Sequence, residues 1–519
     1  MNSESVQEEA KINLLDNHST LIEYMYRYGV EIYPNSIKQV NSNLFLMGKE
    51  GIIKYLYLIS EGDFTLQEKY RGEVINKDNG NNLVVKRCEL STENRKSLQE
   101  QFDFTVPKVL GLCNSFGFGD RIGLANAGHI RSLQGSDFKA ILAQQSIREL
   151  TRTNRKPEEV MNAAVWAVFQ EGYEDGFGAD ADHLKTTEDI DLMVNAGFTM
   201  FTFDPGEYVV NEADSISEEM LEKKIDLVDW QTLNGDYQLL QSSYVRDEIK
   251  IAEDFSLSPT TIDLKRAVVK YGNAIAHIKK MYDYLKSIYP NYNSEVEISV
   301  DETDTVTSPF EHFFIAGELK RLGVELASLA PRFVGAFEKG IDYRGDLDLF
   351  KTEYIKHLDI VKYYGSYKIS LHSGSDKFSV YKVIGTLKEA FTHVKTAGTS
   401  YLEALKVTAL KNPTLFKEIL DFSRSIYESE KQTYHVSADL NSLKPSSEYR
   451  DIELVRLFED DDCRQILHVC FGRVLTDRNE DGSFKFKEKI VSCLEENEST
   501  HYEILINHFN KHLDPFKQL

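Results

Sequence analysis

Basic residues, cysteines and long apolar runs are all scarce in this sequence. Its 519 residues contain 60 Lys and Arg against 83 Asp and Glu, which gives a formal net charge of -23 at pH 7. Proteins that bind nucleic acid need basic surface to displace counterions from phosphates, so this charge argues against a nucleic-acid partner. An anionic ligand would have to be bound by a few Lys and Arg side chains inside a cleft.

The scarcity of apolar runs and of cysteine bears on the cellular compartment. No uninterrupted apolar stretch approaches the roughly 20 residues of a membrane span. Residues 1–15, MNSESVQEEAKINLL, lack the basic start and apolar run of a secretory signal. We therefore expect a cytoplasmic protein without a membrane partner. The cysteines are odd in number and form no CxxC pair, so we expect reduced thiols.

Motifs for common cofactors and nucleophiles are also missing. The glycine-rich segment GFGDRIGLANAGH, residues 117–129, does not fit GxGxxG, and no Walker-type GK[ST] follows it. The residues around Ser373 lack the GxSxG frame of serine hydrolases. Dinucleotide, nucleotide and covalent serine mechanisms have little support, and the glycine-rich segment is better interpreted as a loop that lines a substrate site.

The apolar residues that are present recur in eight short runs. Each run ends in polar or glycine-containing sequence, and most are followed by the 3.6-residue spacing of a helix. Eight strand-helix units predict an α/β fold with a closed parallel (β/α)8 barrel of the TIM type. The runs are VPKVLGLCNSFGFGD, FKAILAQQS, GFGADADH, FTMFTFDPG, VEISVDET, VELASLAPRF, YKISLHSGSDKF and FTHVKTAG.

Further segments are expected around this barrel. An N-terminal α+β cap would contain an apolar strand at Ile52 to Ile59 and a polar turn at Lys77 to Asn82. Helices are expected at PEEVMNAAVWAVFQEGY and SPFEHFFIAGELKRLG, whose Pro or Gly residues suit helix ends. The predicted boundaries are 1–95 for the cap, 96–400 for the barrel, about 207–293 for an acidic, mostly helical insertion, and 401–519 for a helical C-terminal extension.

Polar residues concentrate at the carboxyl ends of the predicted strands, where barrel active sites lie. The third run leads into Asp180, Asp182, His183 and Lys185, where Asp182 could act as a base and His183 as a metal ligand. A structural interpretation stays open, because Asp182 could cap the following helix and His183 could be a hydrogen-bonded barrel residue.

The fifth run ends in two adjacent carboxylates, Asp301 and Glu302. Glu302 continues the alternation of the apolar residues before it, whereas Asp301 has the other parity. Either could act as an acid or base if burial raised its pKa, and either could bind a metal ion. An exposed acidic turn is the alternative that requires no function.

Histidines follow three of the predicted strands. His183, His372 and His393 lie at the ends of the third, seventh and eighth runs, and strand ends converge above a barrel. Neutral imidazole with carboxylate suits zinc, manganese or a similar divalent cation, so these residues predict a metal site. A single histidine is more often structural, but three at separate strand ends favour a shared ligand.

Four basic residues near the same strand ends are candidates for binding an anionic substrate. Arg121 lies in the glycine-rich segment, Lys185 follows the third run, Arg332 ends the sixth, and Lys395 lies within the eighth. Arg offers paired N–H donors to a carboxylate, and Lys offers a mobile ammonium. We expect these side chains to hold the negative end of a small molecule.

Longer blocks of sequence carry a resemblance to a known family. Between about residues 105 and 410, in this order, lie SFGFGDRIGLANAGHI, ILAQQSIRELTRT, GFGADADHLKT, FTFDPG, SVDETDTVTSPFEHFFIAGELKRLG, LAPRFVGAFEKGIDYRGD, LHSGSDKFSVY and HVKTAGTSYLEAL. These blocks resemble the tagaturonate epimerase family, and long blocks are more specific than a short motif. The resemblance implies an isomerase that interconverts D-tagaturonate and D-fructuronate, two keto-hexuronates of hexuronate catabolism, with a divalent metal cation.

The resemblance also implies roles for individual residues. Asp182 matches the proton acceptor, and the VDET segment contains the proton donor, for which alternation favours Glu302 over Asp301. The metal ligands would be His183, His372 and His393. The expected partners are the keto-hexuronate and, in a homo-oligomer, further copies of the chain.

The chemistry of this epimerisation leaves alternatives open. The two sugar acids differ at a hydroxylated carbon β to the ketone, so exchange of an α-proton does not suffice. Our working hypothesis is retro-aldol cleavage and re-addition, in which Asp182 takes the β-hydroxyl proton and Glu302 manages its return. Direct proton transfer, an aldolase, an aldose-ketose isomerase and a non-catalytic sugar-acid binding protein are the alternatives.

Overall fold

The computed structural model describes residues 18–61, 65–78, 83–365, 367–387 and 391–517. The stretch considered for a secretory signal lies outside these residues, as does most of the predicted polar turn at Lys77 to Asn82. Within the described ranges, no helix is long and apolar enough to cross a membrane.

Strands in the described residues fall into an antiparallel sheet, a closed barrel and a hairpin. The strands are β1 Val30–Ile32, β2 Lys38–Val40, β3 Asn43–Glu50, β4 Ile53–Glu61, β5 Glu73–Asp78, β6 Leu83–Cys88, β7 Ser115–Gly119, β8 Lys139–Ser146, β9 Phe177–Leu184, β10 Met200–Phe203, β11 Ile249–Ala252, β12 Phe255–Leu257, β13 Glu295–Val300, β14 Ser328–Pro331, β15 Lys368–Leu371 and β16 Thr392–Thr396. The antiparallel sheet has the order β1-β3-β4-β6-β5, with β2 paired to β3. Its strand β4 begins one residue after the predicted start, Ile52.

The barrel consists of parallel strands in the order β10-β13-β14-β15-β16-β7-β8-β9. Each of the eight predicted runs overlaps one of these strands, and the ends of β9 and β13 extend one residue beyond their runs, so the predicted (β/α)8 fold is confirmed. Strand β16 closes the barrel against β7. A Cβ built on Gly119 would press on the backbone of Thr396 and Ala397, so glycine lets these two segments approach at the mouth of the barrel.

Helices surround the barrel and continue beyond its last strand. They are α1 His18–Tyr26, α2 Thr92–Gln101, α3 Asn126–Ser132, α4 Ile147–Thr153, α5 Pro157–Glu171, α6 Thr187–Ala196, α7 Glu218–Ile225, α8 Tyr237–Tyr244, α9 Thr261–Ile288, α10 Pro309–Arg321, α11 Leu347–Tyr364, α12 Phe378–Ile384, α13 Thr399–Lys411, α14 Pro413–Glu430, α15 Asp451–Leu454, α16 Asp461–Val469, α17 Phe471–Thr476, α18 Lys487–Glu496 and α19 Glu498–Leu513. Both helices predicted between strands are present, as α5 and α10. Helix α10 starts with a capping box, because Ser308 and Glu311 each accept a hydrogen bond from the other's backbone N–H.

The segment between β10 and β13 contains more than helices. Helices α7 and α8 precede the hairpin β11–β12, which the expectation of a mostly helical insertion did not include. Helix α9 then runs for 28 residues and packs against α6 and α10. This segment therefore ends in a long helix that flanks the barrel.

The last helices connect the barrel to the N-terminal sheet. Helix α19 packs against α3 and α13, and the apolar residues of α13 to α18 form a hydrophobic cluster of their own. The Glu498 carboxylate accepts a hydrogen bond from Tyr33 Oη at 2.8 Å and forms an ion pair with Lys54 on β4. One carboxylate near the end of the chain thus holds two residues from the N-terminal region.

Candidate active site

Two adjacent residues of β9 contribute to one site because the strand is irregular there. Along a regular strand, Asp182 and His183 would point to opposite faces. The pairing of β9 with β10 shifts register between Phe201 and Phe203, and His183 has a left-handed φ of 54°. A bulge of this kind redirects side chains. As a result, His183 Nε2 lies only 3.8 Å from Asp182 Oδ1.

His372 and Asp301 extend this group from the ends of β15 and β13. The rings of His183 and His372 have centroids 5.1 Å apart and lie nearly edge to face. His372 Nε2 is hydrogen-bonded to Glu297 Oε1 at 2.7 Å, and its Nδ1 lies 3.0 Å from Asp301 Oδ1, outside hydrogen-bonding geometry. Potential ligand atoms of Asp182, His183 and His372 lie within 4.8 Å of one another. Two of the three predicted ligand histidines therefore meet the predicted base.

The ionisable side chains of this group shift one another's pKa values. Burial would raise the pKa of Asp182, but Lys395 and the two imidazoles outweigh burial and hold that pKa well below its usual range. Burial would lower the pKa of both imidazoles, yet Asp182 raises that of His183 to about 9 and Asp301 raises that of His372 to about 10. The site thus combines an ionised carboxylate with basic imidazoles.

Lys395 is fully engaged beneath this group. Its Nζ lies 2.7 Å from Asp180 Oδ2, 2.8 Å from Asp182 Oδ1 and 2.7 Å from Glu297 Oε1. Burial would lower the pKa of Lys395, but the three carboxylates raise it well above its ordinary value. Lys395 was predicted from the sequence to bind a substrate carboxylate, whereas its contacts make it the counter-ion of three barrel carboxylates.

His393 lies deeper in the barrel than the other two histidines. It precedes Lys395 by two residues on β16, so both side chains lie on the same side of the strand. His393 is fully buried, its Nδ1 lies 3.0 Å from Ser115 Oγ, and burial lowers its pKa to about 3. The residues whose ligand atoms lie within 4.8 Å of one another do not include His393, whose Nε2 is nevertheless buried without a hydrogen-bond partner among the described residues.

Two cavities adjoin this group at the mouth of the barrel. They have volumes of about 260 Å³ and about 40 Å³. The smaller one reaches Asp182 and His183. The residues that line both are Arg148, Asp301, Lys339, His372, Ser373 and Tyr434. A polyhydroxylated molecule that entered the larger cavity would therefore meet the carboxylates and imidazoles at its base.

Two predicted site residues lie only in the larger cavity. Glu302 is 42% exposed and forms an ion pair with Arg148 at 3.1 Å. Arg332 lies in the same wall and is half-buried. The alternation that favoured Glu302 ends with β13 at Val300, because the following residues form a turn. Asp301 is consequently the carboxylate that faces His372.

Two predicted cations are already paired. Arg121 is buried and directs Nε and Nη2 at Glu149 Oε1, at 2.8 and 2.7 Å. It borders the smaller cavity. Lys185 is exposed, lies 3.1 Å from Glu207, and lines neither of the two cavities. The structure does not bring these side chains together at one anion site.

Several cavity residues were not predicted. Arg148 lies on α4, and Lys339 lies between β14 and α11, in the same connection as Arg332. Tyr434 and His468 belong to the helical segment after the barrel. Lys339 lies in the irregular connection after the sixth strand, whose sequence has no periodicity that indicates which side chains turn inward. Tyr434 and His468 do not follow barrel strands, so no pattern at strand ends could have identified them.

Among the described residues, two groups of potential metal ligands differ in how many of their ligand atoms already have a hydrogen-bond partner. Asp376 is bound by His508 at 2.5 Å and by Arg464 at 2.7 Å, and its N–H donates to His512. That second group already contains a guanidinium, so it does not suit a cation. In the first group, Nδ1 of His183 and of His372 is buried without a hydrogen-bond partner, so its donor set fits a divalent ion.

A closed parallel barrel with carboxylates, imidazoles and cavities at the carboxyl ends of its strands defines a TIM-barrel enzyme. A family model for tagaturonate epimerase matches residues 33–516. The chain belongs to the tagaturonate epimerase family and is an isomerase, as its sequence blocks led us to expect.

Individual relatives match nearly the whole chain. A tagaturonate/fructuronate epimerase of Thermotoga maritima is 40% identical over 489 residues, which cover 94% of this chain and 97% of that protein. The native crystal structure of fructuronate-tagaturonate epimerase from Cohnella laeviribosi is similar at a TM-score of 0.87, with 37% identity, covering 96% of this chain and 99% of that one. A structure of that enzyme complexed with one glycerol gives the same values.

Proposed function

We propose that this enzyme interconverts D-tagaturonate and D-fructuronate. The observation that carries the proposal is the convergence of Asp182, His183, His372 and Asp301 beside a cavity whose wall contains cations. The carboxylates and imidazoles suit the hydroxylated keto end of a sugar acid, and the cations suit its carboxylate. The names of relatives that match nearly the full length give the same activity.

A divalent cation is the cofactor that this donor set supports. His183 and His372 would hold it beside the Asp182 carboxylate, and imidazole with carboxylate suits zinc or manganese. When bound, such a cation would act as a Lewis acid that polarises the ketone and the neighbouring hydroxyl of the substrate.

Two carboxylates could move the protons. We keep Asp182 as the proton acceptor, as the family resemblance implied. We assign the second acid-base role to Asp301, because it contacts His372 and lines both cavities. Glu302, which alternation favoured, is exposed and paired with Arg148.

The reaction we propose is retro-aldol cleavage followed by re-addition. Asp182 removes the proton of the β-hydroxyl group, the bond between the α and β carbons breaks, and its electron pair forms an enediolate. The β carbon becomes an aldehyde and turns. The bond then forms on its other face, and the alkoxide oxygen takes back the proton that Asp182 removed, with Asp301 delivering it.

The test is a coupled assay on metal-stripped full-length protein. D-tagaturonate is supplied with and without Mn²⁺ or Zn²⁺, and a fructuronate-specific reductase reports D-fructuronate. Product that forms only with metal supports the activity and the cofactor together. Separated fragments, detected by NMR, would instead indicate an aldolase. Deuterium at the epimerised carbon after a reaction in D₂O would refute the retro-aldol route.

A further inference from the structure

One ammonium at the mouth of the barrel has no counter-ion within the described part of the chain. Lys339 is half-buried and lines both cavities. Its Nζ donates a hydrogen bond to Ser373 Oγ at 2.7 Å, and no described carboxylate oxygen lies within 4.0 Å of it. An ammonium has three donors, so two remain for a ligand.

Three neighbouring cations are paired, unlike Lys339, and Arg332 lines only the larger cavity. Glu149 binds Arg121, Glu302 binds Arg148, and three carboxylates surround Lys395. Burial lowers the pKa of Lys339 and the charge of Arg148 lowers it further, while the carboxylates of Glu302, Asp301 and Glu149 raise it from beyond ion-pair distance. A partly buried charge without a partner is unfavourable unless a ligand supplies the opposite charge.

An unpaired imidazole lies beside Lys339. His468 is 1% exposed, borders the smaller cavity, and has no hydrogen-bond partner on either ring nitrogen among the described residues. A Cβ built on Gly340, the residue after Lys339, would lie 3.4 Å from His468 Nδ1. Burial holds the pKa of His468 well below its ordinary value, so its ring is neutral and carries one free N–H donor.

We infer that Lys339 binds the carboxylate of the substrate, that His468 is its second donor, and that this subsite selects keto sugar acids over neutral ketoses. The inference rests on the proposed function and adds the direction in which the substrate lies. The carboxylate lies at Lys339 and the ketone lies at His183 and His372. The aldehyde that turns in the retro-aldol route carries this carboxylate, so Lys339 anchors the fragment while it turns.

The test compares two ligands that differ only at one end. Calorimetry measures the binding of D-tagaturonate and of D-tagatose, which has a hydroxymethyl group in place of the carboxylate, to full-length protein with Mn²⁺. Lys339→Met removes the charge and keeps the length of the side chain. Lys108→Met is the matched control, because Lys108 is exposed, paired with Asp103, and hydrogen-bonded through its backbone to the first residue of β9, at the opposite end of the barrel.

The wild type and Lys108→Met are expected to bind D-tagaturonate about 10- to 100-fold more tightly than D-tagatose, as a charge-assisted contact provides. Lys339→Met is expected to lose this difference and to bind D-tagatose as the wild type does, which also demonstrates that the variant is folded. Unchanged affinity of Lys339→Met for D-tagaturonate, or no preference in the wild type, would overturn the inference. Preferential binding without turnover would refute the proposed function and leave the subsite standing.

Discussion

The roles of single residues at this site depend on which carboxylate faces which cation. Asp301 lies against His372, while Glu302 lies in the cavity wall with Arg148. We expect Asp301→Asn to lower kcat by about 10²- to 10⁴-fold, as loss of an acid-base group does. Glu302→Gln breaks an exposed ion pair, so its effect should stay below about tenfold. Steady-state kinetics with D-tagaturonate distinguishes them, and a larger loss in Glu302→Gln would restore the assignment made from alternation.

A second expectation at this scale concerns Lys395. Removing it would leave Asp180, Asp182 and Glu297 without their common counter-ion in a fully or nearly buried position. We expect Lys395→Met to destabilise the fold by about 3–5 kcal/mol, because breaking a buried pair leaves an uncompensated charge. Urea unfolding followed by circular dichroism measures this. A variant of unchanged stability with weakened substrate binding would instead support the substrate-binding role predicted from the sequence.

The positions of some site residues could be predicted from the sequence, and the orientations of others could not. The position of Asp182 and His372 at strand ends was enough to predict that they meet. The orientation of His183 depended on a bulge, and that of Asp301 on where β13 ends. Neither is visible in the alternation of residue types. His393 lies on the same side of β16 as Lys395, but it lies deeper in the barrel than His183 and His372. Its depth follows from the stagger of the strands around the barrel, which the sequence does not show.

At the scale of elements, the start of α13 and helix α16 meet through a glycine. A Cβ built on Gly398 would overlap the imidazole of His468. We expect Gly398→Ala to displace that ring, to destabilise the protein by about 1–3 kcal/mol through overpacking, and to raise KM for D-tagaturonate about fivefold through one lost hydrogen bond. Thermal unfolding and steady-state kinetics provide the two measurements.

A double-mutant cycle is the control for this contact. His468→Ala removes the ring that the new methyl group would overlap, so adding Gly398→Ala to it should bring little further change. If Gly398→Ala caused the same loss of stability in both backgrounds, the cause would lie in the backbone of the β16–α13 connection and not in His468.

Elements could be predicted well where periodicity decides their type. The eight barrel strands and the helices α5 and α10 follow from apolar spacing and from Pro and Gly at their ends. The hairpin β11–β12 did not, because its strands have four and three residues within a segment of mostly helical spacing. Lys339 was not predicted as a site residue for another reason. It lies in a long irregular connection, where no periodicity indicates which side chains turn inward.

On the scale of the whole molecule, Glu498 joins distant parts of the chain. Burial would raise its pKa, but Lys54 and the hydroxyl groups of Tyr502 and Tyr33 outweigh burial and lower it to about 2. A lowered folded-state pKa stabilises the protein above the ordinary value of Glu, and this contribution disappears as pH falls through the folded pKa.

We therefore expect Glu498→Gln to be less stable than the wild type at pH 7, by about 3 kcal/mol from the size of the shift. The difference between the two proteins should shrink as pH falls from about 4.5 towards 2. Thermal unfolding across this range measures it. A difference that stays constant with pH would indicate lost packing rather than lost charge.

Contacts of this range lie beyond what the sequence alone could predict. Helix α19 could be expected as an amphipathic helix, but its position against α3 and its contact with Tyr33 and Lys54 depend on how the whole chain folds back. The same holds for Tyr434 and His468, which line the cavities from the part of the chain that follows the last barrel strand.

The origin of these cavity walls bears on protein synthesis. A ribosome that has translated as far as β16 has produced every barrel strand, together with Asp182, His183, His372 and Asp301. Tyr434 and His468 are still to be polymerised, so a stalled or prematurely released polypeptide would carry the reactive groups beneath an open mouth. The complete active site therefore forms only late in translation, after the helices that follow the barrel have emerged from the ribosome and packed against it.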